Sequence, residues 1–333
     1  MYNRQYLSHI PIDKPQNLRY NIKDLTGKEQ SMEFLKLLES IRTPFGDALM
    51  SLITHLGEET LFMVVSLIFF WCVDKYRGYY LLFTGFFGTV CVQLLKMIFL
   101  VPRPWVLDPD FTIVESARAE ATGYSFPSGH TQIAVNLYGG LARSSKHKAM
   151  QIGGVVTFLL IAFSRMYLGV HTPKDVLVSL LIGIGLVLVI YPIIEGSRTN
   201  PMLMYIAIAV AVALSLGNLL YVELAAFPAD VEMQNLTNAR ETAWKLFAAV
   251  FGMCLIYPIE RKWIQFETRA VWWAQILKLV GGLAIVILIK ALFKAPLNAL
   301  LGASIGGFVR YFCMVMAAGL LWPLTFRFFS KLK

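Results

Sequence analysis

Nine apolar runs punctuate this chain, at 58–73, 79–101, 127–143, 149–168, 174–194, 201–222, 244–258, 274–293 and 298–322. A hydrocarbon layer about 30 Å thick calls for about 20 apolar residues in helical form. Inside lipid the backbone must satisfy its own hydrogen bonds, which leaves helices or closed barrels, and these runs are too long for barrel strands. An all-α, polytopic membrane bundle follows. The runs at 58–73 and 244–258 are short and need help from flanking residues or a locally thin bilayer. With 57% hydrophobic and 15% charged residues among 333, and a mean hydropathy of +0.60, one large soluble core is excluded.

Lys and Arg fall unevenly between the runs. One set of connections carries Lys75, Arg77, Arg143, Lys146, Lys148, Arg198, Arg261, Lys262 and Arg269, with Arg327, Lys331 and Lys333 in the tail. In the opposite set, Arg103, Arg118, Lys174, Arg240 and Lys294 are diluted by acids such as Asp108, Glu115, Glu120 and Glu241. The first set, and with it the C-terminus, is expected on the cytoplasmic side. The net charge of +9 is thus a topology signal, and no nucleic-acid partner is expected. Residues 1–30 are polar and show no cleaved signal peptide. Residues 31–56 place Phe34, Leu37, Leu38 and Ile41 at helical spacing among charges, with Pro44 breaking the run; an amphipathic interfacial helix fits. Cys72, Cys91, Cys254 and Cys313 lie inside apolar runs without metal-ligand spacing and read as packing residues. The sequon Asn235-Leu236-Thr237 reads as a chance match.

Ionisable groups inside or beside membrane spans are expensive and mark function by default. Here they cluster. Lys96 and Arg103 are seven residues apart, about two helical turns, with Pro102 and Pro104 ending the helix. In "FPSGH", Pro127 suits a first helical turn, and Ser128 and Gly129 then offer free backbone N–H groups at the positive end of a helix dipole. That is an anion site, with His130 one step inside to exchange a proton. In "SRMYLGVHTPKD", Arg165 precedes the end of a span, His171 follows in the loop, and Asp175 lies four residues later. An Asp there can orient one imidazole nitrogen and leave the other free to attack. Topology brings all three pieces to the same membrane face, which suits binding and in-line displacement at a phosphate.

These motifs, K-x6-RP over Lys96–Pro104, PSGH over Pro127–His130 and SR-x5-H-x3-D over Ser164–Asp175, resemble the type 2 phosphatidic acid phosphatase (PAP2) superfamily in order and spacing. The resemblance implies a metal-independent hydrolase with no cofactor. His171 would be the nucleophile that forms a phosphohistidine, Asp175 its orienting partner and His130 the general acid. Lys96, Arg103, Ser128, Gly129 and Arg165 would bind the phosphate. The chain then divides into a polar segment (1–30), the interfacial helix (31–56), a catalytic core of about six helices (57–194), and about three additional membrane helices of unassigned role (195–333). No metal ligand set is visible outside the phosphate site.

The family's substrates include phosphatidate, phosphatidylglycerol phosphate, polyprenyl diphosphates and sphingoid base phosphates, and the motifs do not choose among them. The layout is similar to sphingosine-phosphate phosphatase-like members and related bacterial proteins, which implies a bacterial plasma membrane and an outward-facing site. The acids between the first two motifs, Asp108, Asp110, Glu115 and Glu120, either greet an ammonium head group or form a solvated loop, and the solvated loop is the favoured reading. In the last third, Arg310 sits mid-span and is expected to face a polar cavity or an internal acid. Gly302, Gly306 and Gly307 beside it are expected to permit close helix packing, and a homodimer through the C-terminal helices is one role for that region. Two further functions stay open: phosphoryl transfer to a second lipid by the same chemistry, and lipid transport or flipping by the extra spans.

Overall fold

A computed structural model describes residues 22–331 as a bundle of helices, with no strand among the described residues. In chain order these are α1 (Ile22–Ser40), α2 (Pro44–His55), α3 (Glu59–Ile68, extended by a π turn Phe69–Val73), α4 (Lys75–Phe99), α5 (129–144), α6 (Lys148–Tyr167), α7 (Pro173–Gly196), α8 (Met202–Leu224), α9 (Met233–Ile259), α10 (Trp272–Leu292) and α11 (Lys294–Met316).

Every apolar run is helical, yet seven helices are long and apolar enough to cross a membrane, or eight if α2 and α3, bent by 42°, count as one span. The run at 127–143 makes the difference: α5 rises only about 24 Å at 1.5 Å per residue. The run at 244–258 grows because polar residues from Met233 onward continue the helix beyond the apolar part. The expected single helix over 31–56 is two. Thr43 caps α2 by accepting from the Gly46 N–H, and Pro44 sits at its first position, where a missing N–H is tolerated. α1 starts at Ile22, inside the expected polar segment, whose residues 1–21 lie outside the described residues.

α4 is the axis of the bundle. It packs against α3, α5, α7, α8 and α9. Asp74 starts it by accepting from the Tyr76 and Arg77 N–H groups. Gly85 and Gly88 let neighbours approach its backbone, the first taking the Phe62 ring and the second the Asn136 and Gln132 side chains. At this contact the Asn136 amide donates to the Thr84 carbonyl (2.9 Å) and accepts from Gln132 (3.0 Å). A polar clamp of this kind, buried among apolar side chains, fixes the register of α5 on α4. Trp71, Tyr79, Tyr80 and Tyr257 fill the other end of the core. There Arg198 pairs with Asp74 and Lys75 with Glu260, so the basic connections gather at one end.

The C-terminal helices dock on this core through α9. Leu236, Ala239 and Ala243 pack with Met97, Tyr124 and Leu219. α11 is kinked at Gly302, whose φ of +77° favours glycine. Gly302 therefore serves the kink, with no neighbour within 4 Å of a Cβ there, whereas Gly306 and Gly307 are the close-packed ones, against Leu297 and Lys245. Arg310 is buried over the Tyr311 ring, and its Nε and Nη1 find no hydrogen-bond partner among the described residues. No internal acid pairs with it there. The four cysteines are free, and Asn235 and Thr237 of the sequon lie in helix α9.

Candidate active site

Lys96 occupies the last turn of α4, and Leu100 ends that helix in the left-handed region, returning its N–H to the Lys96 carbonyl. The chain then turns at Pro102, so Arg103 does not continue the helical face of Lys96. Both cations nevertheless reach one place. Lys96 Nζ donates to the Tyr124 carbonyl (2.6 Å). Arg103 donates to the carbonyls of Thr122 (2.7 Å), Gly123 (2.9 Å) and Val170 (2.9 Å), strapping two loops together. Its Nη1 also lies 3.0 Å from His171 Nε2.

His171 rides on a tight turn between α6 and α7. Gly169, at φ +81°, reverses the chain, and Thr172 caps α7 with Pro173 at its first position. Thr172 and Asp175 form a capping box: the Asp175 N–H donates to Thr172 Oγ1, and the Thr172 N–H donates to Asp175 Oδ2 (2.8 Å). The same carboxylate accepts from Ser125 Oγ at 2.6 Å. His171 Nδ1 lies 3.4 Å from Asp175 Oδ2, within ion-pair range but without hydrogen-bond geometry. Burial, and then the charges of Arg103, Arg165 and Lys96, push His171 well below the ordinary imidazole value. The ring is held neutral, with Nε2 on the cationic side.

α5 brings its N-terminus to the same cavity, with Gly129 in its lining. Its cap is Ser128, not Pro127, which precedes the cap instead of entering the first turn. Ser128 Oγ accepts from the Thr131 hydroxyl (3.0 Å) and its N–H (3.4 Å), leaving its own hydrogen to donate. A Cβ at Gly129 would meet no atom within 4 Å, so the glycine opens onto space. His130 Nε2 faces Glu120 Oε2 at 3.2 Å.

Arg165, at the end of α6, is fully buried. Its Nη1 donates to Thr54 Oγ1 (2.7 Å), while Nε and Nη2 have no hydrogen-bond partner. Glu120 lies 4.0 Å away. A buried guanidinium with idle donors is costly unless a ligand completes it. Three cations against the carboxylates of Asp175 and Glu120 leave an excess of positive charge, as a phosphate group requires.

A cavity of about 560 Å³ opens here, lined by Lys96, Arg103, Gly129, His130 and His171 among others. All eight residues singled out in the sequence meet around this point. Three partners, Glu120, Thr54 and Ser125, escaped that reading. Glu120 belongs to the site and not to a solvated loop, although Asp108 and Glu115 do pair with surface cations. Thr54 and Ser125 carry no motif. The double duty of Asp175 was visible in "TPKD", which has the Thr-x-x-acid form of a capping box. The structure also gathers His55, Glu58 and Glu120, whose ligand atoms lie within 4.8 Å of one another at the cavity mouth. No sequence spacing announced this group. His55 already contacts both carboxylates.

Residues 77–199 match the PAP2 superfamily, and residues 244–333 match a PAP2 superfamily phosphatase transmembrane extension. The chain is 32% identical to phosphatidylglycerophosphatase B of Bacillus subtilis over 158 residues, 43% of this chain and 73% of that protein. It is 28% identical to an undecaprenyl-diphosphatase of Sulfolobus acidocaldarius over 165 residues, 48% of this chain and 78% of that protein. It is also 30% identical to a probable sphingosine-1-phosphate phosphatase of Dictyostelium discoideum over 173 residues, 48% and 41% of the two chains. No solved structure matches. A multi-pass helical membrane protein whose buried cations and histidines gather at one cavity, the chain belongs to the PAP2 superfamily and is a phosphatase of phosphoric monoesters or diphosphates.

Proposed function

We propose that the protein hydrolyses a lipid phosphate through a phosphohistidine. The observation that carries this reading is the neutral, buried His171, with Nδ1 toward Asp175 and Nε2 among the cations. In the first step Nε2 forms a bond to phosphorus as the P–O bond to the lipid breaks, and His130 protonates the departing oxygen. Lys96, Arg103, Arg165, Ser128 and the N–H groups at Gly129 and beyond hold the oxygens that gain charge. In the second step water attacks phosphorus, the N–P bond breaks, and His130 takes the proton of that water. Inorganic phosphate leaves, and both histidines return to their starting state. No step requires a metal or cofactor.

Purified protein in detergent should release phosphate from at least one member of a panel of phosphatidate, phosphatidylglycerol phosphate, sphingoid base phosphate and polyprenyl diphosphate. His171→Ala should abolish release. With labelled substrate, an alkaline quench should retain label on the parent protein and an acid treatment should remove it, as a phosphoramidate demands. Label that survives acid would refute the histidine intermediate. Release that needs a second lipid as acceptor would instead indicate phosphoryl transfer.

The same reading puts the site on the non-cytoplasmic face, because the opposite end collects Lys75, Arg198 and Arg261. An impermeant thiol reagent that labels a cysteine introduced at Lys146 from outside intact cells would overturn it. Self-association through the C-terminal helices, where α10 leaves Ile276, Val280 and Ile287 exposed, is the remaining element; a monomeric mass in mild detergent would remove it.

A further inference from the structure

Part of the cavity wall comes from α9, whose first turns lie between the two matched regions, 77–199 and 244–333. On α9, Asn235, Asn238, Thr242 and Lys245 follow one another at steps of three and four, which lines them up on one helical face, and all four border the active-site cavity. Glu241 joins them, and Glu58 and Glu59 at the start of α3 border the same space. These residues lie outside the eight that handle the phosphate.

Two observations tie this wall to the site. Tyr124 accepts from Lys96 through its carbonyl and from the Glu232 N–H through its hydroxyl, so one residue spans the phosphate ligand and the start of α9. The apolar contact of Leu236, Ala239 and Ala243 with Met97 then fixes the helix at that distance. The wall is therefore a rigid part of the cavity and not a loosely attached neighbour.

Its chemistry differs from that of the phosphate side. Three carboxylates, Glu58, Glu59 and Glu241, face one cation, Lys245, which is already paired with Glu241 at 3.1 Å. The Asn238 amide and the Thr242 hydroxyl carry no hydrogen bond among the described residues, while Asn235 is occupied by Glu232. A second phosphate on the substrate would meet carboxylates there, with repulsion and no free cation. A hydroxyl or ammonium would find acceptors in the carboxylates and the amide oxygen.

We propose that α9 is a headgroup-selecting wall, which favours lipid phosphomonoesters bearing a hydrogen-bond donor, hydroxyl or ammonium, next to the phosphate over lipid diphosphates. This rests on the phosphatase reading above. The wall gives α9 a task in substrate choice, since it discriminates among substrates that the motif residues treat alike.

The test compares kcat/KM for four lipids: sphingoid base phosphate, with an ammonium and a hydroxyl; its N-acyl form, which loses the charge but keeps the hydroxyl and one amide N–H; phosphatidate, with neither; and a polyprenyl diphosphate. Parent protein should prefer the donor-bearing monoesters by about tenfold or more, as one charge-assisted hydrogen bond allows. A loss of preference on N-acylation assigns the recognition to the ammonium, and its retention assigns it to the uncharged donors, the hydroxyl and the amide N–H. Asn238→Leu with Glu241→Gln should collapse the ratio to phosphatidate by raising KM. It should also improve the diphosphate relative to the monoesters, because Lys245 is released. Thr242→Val, a smaller change, should move the ratio in the same direction if the double variant folds poorly. A parent that prefers the diphosphate, or variants that leave all four ratios unchanged, would overturn the selecting wall while the phosphatase reading stands. Absence of phosphate release from every lipid by folded protein would overturn both.

Discussion

Gly129→Ala separates stability from activity in one substitution. A Cβ at this position meets no protein atom within 4 Å, so the fold has room for it. Alanine in a helix is preferred over glycine by up to about 1 kcal/mol, less in a first turn. The melting temperature in detergent should therefore hold or rise slightly. The space that the methyl enters borders His130 and His171 and is where a phosphate oxygen would approach the backbone N–H groups of α5. Losing one or two such bonds to a charged ligand costs about 1.5–3 kcal/mol each. At about 1.4 kcal/mol per tenfold, kcat/KM should fall by about 10- to 10⁴-fold. Phosphate release and a vanadate inhibition constant, measured beside the melting curve, give both halves. A variant as stable as the parent and equally active would refute the placement of the phosphate at this helix end.

Arg165→Lys keeps a charge but loses the two unpartnered donors, so it should lower kcat/KM by about 100-fold and weaken vanadate more than it lowers the melting temperature. Because His171 is held well below the ordinary imidazole value, its reactive neutral form should persist on acidification; the acid limb of kcat/KM should lie below about pH 6.5. Arg103→Gln removes a nearby positive charge and should shift that limb upward, and a limb that does not move would exclude His171 as its source. EDTA should leave turnover intact. A loss restored by added divalent ion and absent in His55→Ala would instead assign a metal to the His55, Glu58 and Glu120 group.

The membrane bundle was legible because lipid imposes a length and a composition on every span, and both are written linearly. The gathering of the motif residues at one place was legible for a related reason. Each motif is local, Lys96 to Pro104, Pro127 to His130 and Ser164 to Asp175, and alternating spans bring these ends to one face. The helix ends were less legible. Polar residues 233–243 read as a loop because hydropathy reports the solvent, whereas the contact of Leu236 and Ala239 with Met97 keeps them helical.

The sequence by itself determined the helical class, the number of apolar runs and the motif residues that gather at one site, since each depends on neighbours a few positions apart. Tertiary structure decided the partners of those residues. Glu120 reaches His130 from the 108–128 loop, Thr54 reaches Arg165 across 111 positions, and α9 comes from another part of the chain to close the cavity. Such contacts obey no periodicity. They depend on how helices stack around α4, where Gly85, Gly88 and the Asn136 clamp set the spacing.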